Sequence, residues 1–330
     1  MMPRRQQVDP DVSDVTAEYL ALRREVAVAD APRDVLQVRG GDAVTFLQGQ
    51  LSADVPAIPL GGWAWSLLLA PQGKLDAWVR LWRVDDDTVL LDVDAGWADA
   101  VVTRLERFRL RVDAVVERRD DLQCLALRGP LAPEVDVSGS GARHVARFDW
   151  RGLPAVDLIG ESVQAPAGVP VASSTATSNV RIEQGWPVMG RELNTDLIPA
   201  EAGAWLIDAS VSFTKGCYTG QELVARIDSR GNNTPNRLVG VVLAENVLPP
   251  EGAVVRHDGD DRGALTSVGE SLDLRAPVAL ALVHRSVEVG AEIEVVLPGG
   301  VVAGRVVDLP MVDHPMVDPV DPVDPGTPGT

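Results

Sequence analysis

The sequence has few of the residues that usually mark disulfide frameworks, metal sites or membrane segments. Among 330 residues there are two Cys, Cys124 and Cys217, and two thiols so far apart in sequence predict neither a disulfide framework nor a zinc motif. The longest apolar runs, residues 63–70 and 278–283, are far shorter than the roughly 20 residues that span a bilayer. No apolar stretch of a secretion signal follows the N-terminal Arg pair. These absences predict a cytoplasmic protein with two reduced thiols.

Basic residues are also scarce. The 30 basic residues face 48 acidic ones, which gives a net charge of −18 and argues against general nucleic-acid or anionic-membrane binding. Only two of the basic residues are Lys, Lys74 and Lys215, and both lie beside glycines. A Lys ammonium is a compact point charge that the planar Arg fork does not replace. We therefore predict no direct nucleic-acid partner and no membrane partner, and we mark both Lys as candidate functional residues.

The order of apolar patterns predicts an α+β protein. A helical pattern over 9–25 and a strand-turn-helix unit come first, then strands near 67–70, 77–84 and 88–93, and then a helix over 95–108. After residue 237 six short strands separated by Gly and Pro turns indicate a small barrel. We predict an N-terminal α+β region (1–131), a central α+β region interleaved with it (132–236), a barrel (237–308) and a disordered acidic Val-Asp-Pro tail (309–330).

One segment combines a thiol, a cation and a helix start. It reads Lys215-Gly-Cys-Tyr-Thr-Gly-Gln-Glu222, and Thr219 and Glu222 have the spacing of a capping box, which predicts a helix from about Gly220. Cys217 then lies just before a helix N-terminus with Lys215 two residues away, an arrangement that favours a reactive thiolate. The alternative is that Cys217 is a small buried residue at a well-capped helix start.

The same eight residues resemble the signature of YgfZ-like proteins, relatives of the glycine-cleavage T-protein that are tied to folate and to the upkeep of iron-sulfur enzymes. Residues 38–51, the segment Pro71-Gln-Gly-Lys-Leu-Asp76 and residues 181–185 (Arg-Ile-Glu-Gln-Gly) resemble further motifs of that family. The resemblance implies a GcvT-like, three-lobed ring of α+β domains with a small C-terminal β-barrel. It also implies tetrahydrofolate or a derivative as cofactor, in the central channel.

The resemblance carries over individual residues as well. It implies that Glu183 binds the pterin ring, since a carboxylate accepts two adjacent N–H bonds, and that Asp76 serves one-carbon chemistry. Ala77 stands where the T-protein has a second Asp, and Gln221 where it has a basic residue, which weakens an aminomethyltransferase interpretation. The remaining candidate folate-binding residues are Tyr218, Gly220, Gln221 and Lys74.

Three functional hypotheses follow. The first is a folate-binding accessory protein for assembly or repair of iron-sulfur enzymes, with Cys217 as the functional thiol, activated by Lys215, and iron-sulfur client enzymes as partners. The second is a folate-dependent transferase of the aminomethyltransferase type with Asp76 as the chemical residue. The third is a factor that influences tRNA modification indirectly, through an iron-sulfur tRNA-modifying enzyme.

Overall fold

The computed structural model describes residues 14–229, 231 and 233–312. The predicted first helix is observed as α1, Val15–Arg24, with Asp14 as its N-cap. Predicted helical positions 9–13 lie outside the described residues. So do residues 313–330 of the predicted tail. No helix in the described part of the chain is long and apolar enough to cross a membrane.

The first β unit is a five-stranded antiparallel sheet with strand order β3-β4-β5-β2-β6. Its strands are β2 (Arg33–Arg39), β3 (Trp63–Leu69), β4 (Leu75–Arg83), β5 (Thr88–Asp94) and β6 (Val115–Arg118). Helices α2 (Ala43–Gln50) and α3 (Ala98–Phe108) belong to the same unit. Strand β4 is buried at nearly every position, which is the pattern of a strand covered on both faces of its sheet.

The second β unit is a four-stranded sheet of order β1-β7-β9-β8. Its strands are β1 (Ala27–Ala29), β7 (Gln123–Arg128), β8 (His144–Asp149) and β9 (Pro154–Gly160). Strand β1 precedes the whole first sheet in sequence but pairs with β7. The two sheets are therefore interleaved along the chain.

The third β unit is a closed barrel of six antiparallel strands. They are β10 (Asn236–Leu243), β11 (Val254–His257), β12 (Asp260–Ser271), β13 (Ala276–His284), β14 (Glu292–Leu297) and β15 (Gly300–Val307). Alternate inward side chains form a separate apolar core, as the period-2 pattern requires. The predicted α+β architecture with a C-terminal six-stranded barrel is confirmed.

Three helices connect the second sheet to the barrel: α4 (Ser174–Gln184), α5 (Ala204–Ser210) and α6 (Gln221–Asp228). Ser173 caps α4 with its side chain, and Gly185 ends it in the left-handed region at φ 65°, which glycine adopts without a Cβ penalty. Short 3-10 helices are Val55–Ala57, Ala132–Glu134 and Pro199–Ala202. Helix α4 packs on both α1 and β12, so it joins the N-terminal part of the chain to the barrel.

Candidate functional site

Lys215 ties the Cys217 segment to the end of α2. Its Nζ donates to the backbone carbonyls of Gln48, Leu51 and Ala53 at 2.8, 2.7 and 2.6 Å. An ammonium has three donors, and carbonyls at a helix C-terminus lack partners and favour a cation. Burial lowers the pKa of Lys215 to about 8. The three donors are thus committed to backbone oxygens of the first unit.

Two glycine turns interlock beside this anchor. Gly220 has φ +83°, and a Cβ there would lie 2.6 Å from the carbonyl oxygen of Ala70, while a Cβ on Gly73 would lie 2.4 Å from Cβ of Leu223. Side chains at either glycine would push the turns apart. The segments 48–53, 70–74 and 215–223, separate in sequence, therefore meet in one place.

The start of α6 differs from the predicted capping box. The helix begins at Gln221 as expected, but its N-cap is Gly220, and Oε1 of Gln221 accepts a hydrogen bond from the backbone N–H of Tyr218 at 3.2 Å. Thr219 instead donates its backbone N–H to the carbonyl of Gly49. The predicted Thr219–Glu222 capping box is therefore not observed, and the N-cap Gly220 has no side-chain cap.

The two thiols have opposite environments. Cys217 is exposed, whereas Cys124 is half-buried and burial raises its pKa to about 12. Tyr218 is half-buried, burial raises its pKa to about 12, and the Lys215 ammonium lies 5.2 Å from the centre of its ring. Cys217 is thus an accessible thiol on an anchored segment, and Cys124 is a thiol kept protonated.

Asp76 and Lys74 each have a charged partner. Leu68 pairs with Ala77 and Leu69 with Leu75, so Asp76 is the extra residue of a β-bulge, a feature that redirects a side chain. Its Oδ2 accepts from Arg104 Nε at 2.9 Å. Lys74 forms an ion pair with Asp196 at 3.0 Å.

Glu183 lies in the interior, between α4 and α1. It is 0% exposed, and its Oε1 accepts from the hydroxyl of Tyr19 at 2.5 Å. Arg23 Nε stands 3.7 Å from Oε2. Burial raises the pKa of Glu183. The side chain predicted to hold a pterin therefore links two helices.

A cavity of about 540 Å³ lies where the two sheets, α5 and the segment after the barrel meet, a size typical of small-molecule sites. Five aromatic rings line it: Trp63, Trp65, Phe148, Trp186 and Trp205. Its other lining residues are Asp149, Arg151, Gly152, Ala209 and Pro310. None of the sequence-predicted site residues is among them.

The aromatic walls continue into a connected cluster. Trp65 stacks on Trp78 with ring centres 4.4 Å apart, Trp78 contacts Trp186 at 5.0 Å, and Trp186 contacts Trp205 at 5.4 Å. The signal in the sequence was the excess of Trp, eight against four Phe. From composition alone, such residues would be assigned to the hydrophobic core.

A buried charge network supports one wall. Arg80, 0% exposed, donates to Asp92 at 2.9 Å and to Asp157 at 2.7 Å. Its guanidinium lies 5.0 Å from the ring centre of Trp65, within cation–π range. Arg128 donates to the other oxygen of Asp157 at 2.6 Å, so Asp157 accepts from two cations. Both cations hold its pKa at about 2 against the opposing effect of burial.

Two charged residues line the cavity at the end of β8 and in the turn that follows it. Asp149 accepts at Oδ1 from the backbone N–H of Gly152 at 2.7 Å, and burial raises its pKa. Arg151 donates to the carbonyls of Gly185 and Leu309 at 3.0 and 2.7 Å and lies 4.7 Å from the ring centre of Trp205. Burial lowers the pKa of Arg151 to about 10.

Two family models match the chain. The GCVT N-terminal domain matches residues 4–148, and the glycine cleavage T-protein C-terminal barrel domain matches residues 236–313. The second match covers the observed barrel, and the first covers the five-stranded sheet together with β1, β7 and most of β8. The expected GcvT-like fold is thereby confirmed.

Relatives of similar length bear the name aminomethyltransferase. A protein from Thermus thermophilus is 28% identical over 317 residues, with 86% of each chain covered. The protein from Lysinibacillus sphaericus is 26% identical over 322 residues, covering 87% of this chain and 86% of that one. The crystal structure of glycine cleavage system aminomethyltransferase T from Bartonella henselae superimposes with a TM-score of 0.76 at 23% identity, over 91% of this chain and 90% of that chain. The similarity to this crystal structure shows the fold of the chain.

Proposed function

Because the chain carries the N-terminal domain and the C-terminal barrel domain of glycine cleavage T-proteins, we propose that it binds a tetrahydrofolate and takes part in one-carbon transfer of the aminomethyltransferase type. The observation that carries the proposal is the aromatic cavity at the meeting point of the two sheets and the segment after the barrel. The names of the relatives support the same class of reaction.

The cavity fits a flat heteroaromatic ligand with polar edges. Its five rings offer faces for offset stacking, and Asp149 and Arg151 supply one acceptor group and one cation. Trp205 Nε1, in the wall, is buried with no hydrogen-bond partner among the described residues, and buried donors are normally paired. A ligand with ring nitrogens, an amide and carboxylates matches this mixture of surfaces.

The folate supplies the carrier for the one-carbon unit. The chain's part is to bind and orient the ring against the aromatic wall that Trp65, Trp186 and Trp205 form together, and to exclude water from it with apolar walls. Asp76 is the chemical carboxylate that the family resemblance implies; it lies outside the lining of the cavity, and Arg104 fixes its direction through the 2.9 Å bond. If that role is right, Asp76→Ala abolishes transfer while leaving folate binding in place.

Folate binding is tested by calorimetry on wild type, Trp205→Ala and the matched control Trp97→Ala. Both Trp are half-buried, and Trp97 does not line the cavity. Loss of a stacking ring costs about 1–3 kcal/mol, so we expect Trp205→Ala to bind about 10- to 100-fold more weakly and Trp97→Ala to bind as wild type. A wild type that fails to bind tetrahydrofolate overturns the proposal.

A second candidate function is favoured by the exposed thiol of Cys217. On this hypothesis, which the YgfZ-like signature suggested, the protein is a folate-dependent accessory factor that serves iron-sulfur enzymes, including a tRNA-modifying one. One thiol does not complete the ligand set of a cluster, so a partner protein, a second chain or a small thiol would provide the rest. Cells that carry only Cys217→Ser should then lose client activity, whereas cells with Cys124→Ser should keep it. Equal client activity in both strains contradicts this candidate.

A further inference from the structure

We propose that residues 308–312, which follow the last barrel strand, form a strap that closes one side of the aromatic cavity and opens to admit a ligand. Arg151 is the positioning residue that latches this strap shut. Both the strap, through Pro310, and Arg151 belong to the cavity lining. For tetrahydrofolate as the ligand, the inference rests on the proposed function and names the element that controls access to the same cavity.

The strap leaves the barrel after β15 and returns to the end of α4. The backbone N–H of Met311 donates to the carbonyl of Glu183 at 2.7 Å. Leu309 and Met311 pack with Ile182 in the apolar cluster between α4 and the barrel. Pro310, between these two contacts, lines the cavity. The strap therefore follows α4 and contributes one residue to the cavity wall.

Arg151 ties the strap to the turn after β8. Its guanidinium donates to the carbonyls of Gly185 and Leu309 at 3.0 and 2.7 Å, and the first of these lies at a helix C-terminus, which favours a cation. The same guanidinium lies 4.7 Å from the ring centre of Trp205 in the cavity wall. The backbone of Arg151 is left-handed at φ 55°, a conformation that persists where surrounding contacts hold it. One side chain thus joins the second sheet, α4 and the strap.

Gly185 leaves the room that this latch needs. A Cβ at this position would lie 2.8 Å from Cδ1 of Leu309 and 2.9 Å from Nη1 of Arg151. Any side chain there would push the strap and the guanidinium away from the end of α4. The glycine that ends the helix is therefore also the seat of the latch.

The strap is held more weakly than the other walls of the cavity. Asp308 and Pro310 are exposed, and Leu309 and Met311 are half-buried. A segment with few buried apolar contacts and few backbone hydrogen bonds opens at low cost in free energy. The aromatic wall, in contrast, belongs to a cluster of packed rings that continues between the sheets. We therefore assign ligand entry to the strap.

The first experiment measures hydrogen exchange over residues 308–312 by mass spectrometry in full-length wild type, Arg151→Met, Leu309→Ala and the control Arg147→Met. Arg147 is an exposed residue of β8 that lies outside the cavity. Because Arg151→Met removes charged hydrogen bonds, its strap should exchange about 10- to 100-fold faster. Leu309→Ala should also exchange faster, since it loses apolar contact, whereas Arg147→Met should match wild type. Strand β13 serves as the reference for global stability.

The second experiment measures access to the cavity without any folate, by acrylamide quenching of Trp fluorescence. Four of the eight Trp line the cavity, so quenching should be stronger in Arg151→Met and Leu309→Ala than in wild type and Arg147→Met. Tetrahydrofolate should also dissociate faster from the same two variants. Leu309 does not line the cavity, so an effect of its substitution reaches the ligand through the strap.

The outcomes separate the strap from the folate function. Strap exchange or acrylamide quenching that matches wild type in both Arg151→Met and Leu309→Ala overturns the inference and leaves the folate function standing. A wild type that does not bind tetrahydrofolate overturns the folate function, and exchange and quenching then still decide whether the strap closes the cavity.

Discussion

Asp157→Asn tests whether the buried charge network holds the wall of the cavity. Asp157 is 1% exposed and accepts from Arg80 at 2.7 Å and from Arg128 at 2.6 Å. The substitution removes the negative charge of Asp157, so the two buried guanidiniums are no longer fully balanced by carboxylates. Breaking a buried pair in this way costs about 3–5 kcal/mol, which is the loss in free energy of unfolding that we expect.

Part of this loss depends on pH. The pKa of Asp157 falls from its ordinary 3.8 to about 2 in the folded state, which corresponds to about 2 kcal/mol of stabilisation. Because the folded pKa is depressed, this stabilisation is present above the ordinary pKa and is lost as the pH falls through the folded one. The difference in free energy of unfolding between wild type and Asp157→Asn should therefore be smaller at pH 3 than at pH 6.

The assay is urea unfolding at both pH values, followed by Trp fluorescence, which the clustered indoles should dominate. Asp121→Asn is the control, since Asp121 also pairs with an Arg but lies at the surface, and it should unfold near the wild-type midpoint. The reasoning is refuted if Asp157→Asn lowers the free energy of unfolding by less than about 1 kcal/mol. It is also refuted if the difference in that free energy between Asp157→Asn and wild type is the same at pH 3 and pH 6. Weaker folate binding by Asp157→Asn is a further expected result, because Arg80 lies against Trp65.

Three further results are expected around the anchored segment. In native protein an aromatic disulfide reagent at pH 8 should titrate one fast thiol, lost in Cys217→Ser, because Cys124 has a pKa of about 12; two fast thiols would contradict this. Gly220→Ala should lower stability by about 1–3 kcal/mol, since its backbone is left-handed and a Cβ would lie 2.6 Å from the Ala70 oxygen, and an unchanged thermal midpoint would contradict it. Lys215→Met should expose residues 48–53 to faster hydrogen exchange because their carbonyls lose a shared donor, whereas exchange that matches wild type would show that the Lys is not an anchor.

Much of the fold was readable from local patterns. Alternating apolar residues separated by Gly and Pro turns predicted the six strands of the barrel, since strand period and turn residues act over a few positions. Residue-level contacts were not readable in this way. Lys215 reaches the carbonyl of Gln48 across 167 positions in sequence, and no local pattern encodes such a pair.

The site residues show the same difference between what local sequence predicts and what it does not. The resemblance singled out Cys217, Asp76 and Glu183, and their proposed roles stay predictions. The sequence did not predict the cavity residues around Asp149. An Asp near a turn between strands is common, because its side chain bonds to nearby backbone groups. A Trp with apolar neighbours is likewise common in any hydrophobic core.

The sequence by itself determined the element types, the closed barrel at the C-terminal end of the described chain, and the glycine turns, because these depend on side-chain period and on backbone freedom at single positions. The tertiary structure decided which carboxylate is interior and which faces a cavity, and which cation is an anchor. Those outcomes depend on side chains that converge from remote segments: Trp63 and Trp65 from one sheet, Asp149 from the other, and Trp186 and Trp205 from the helical connection. Their desolvation and partners exist only after the sheets have packed together.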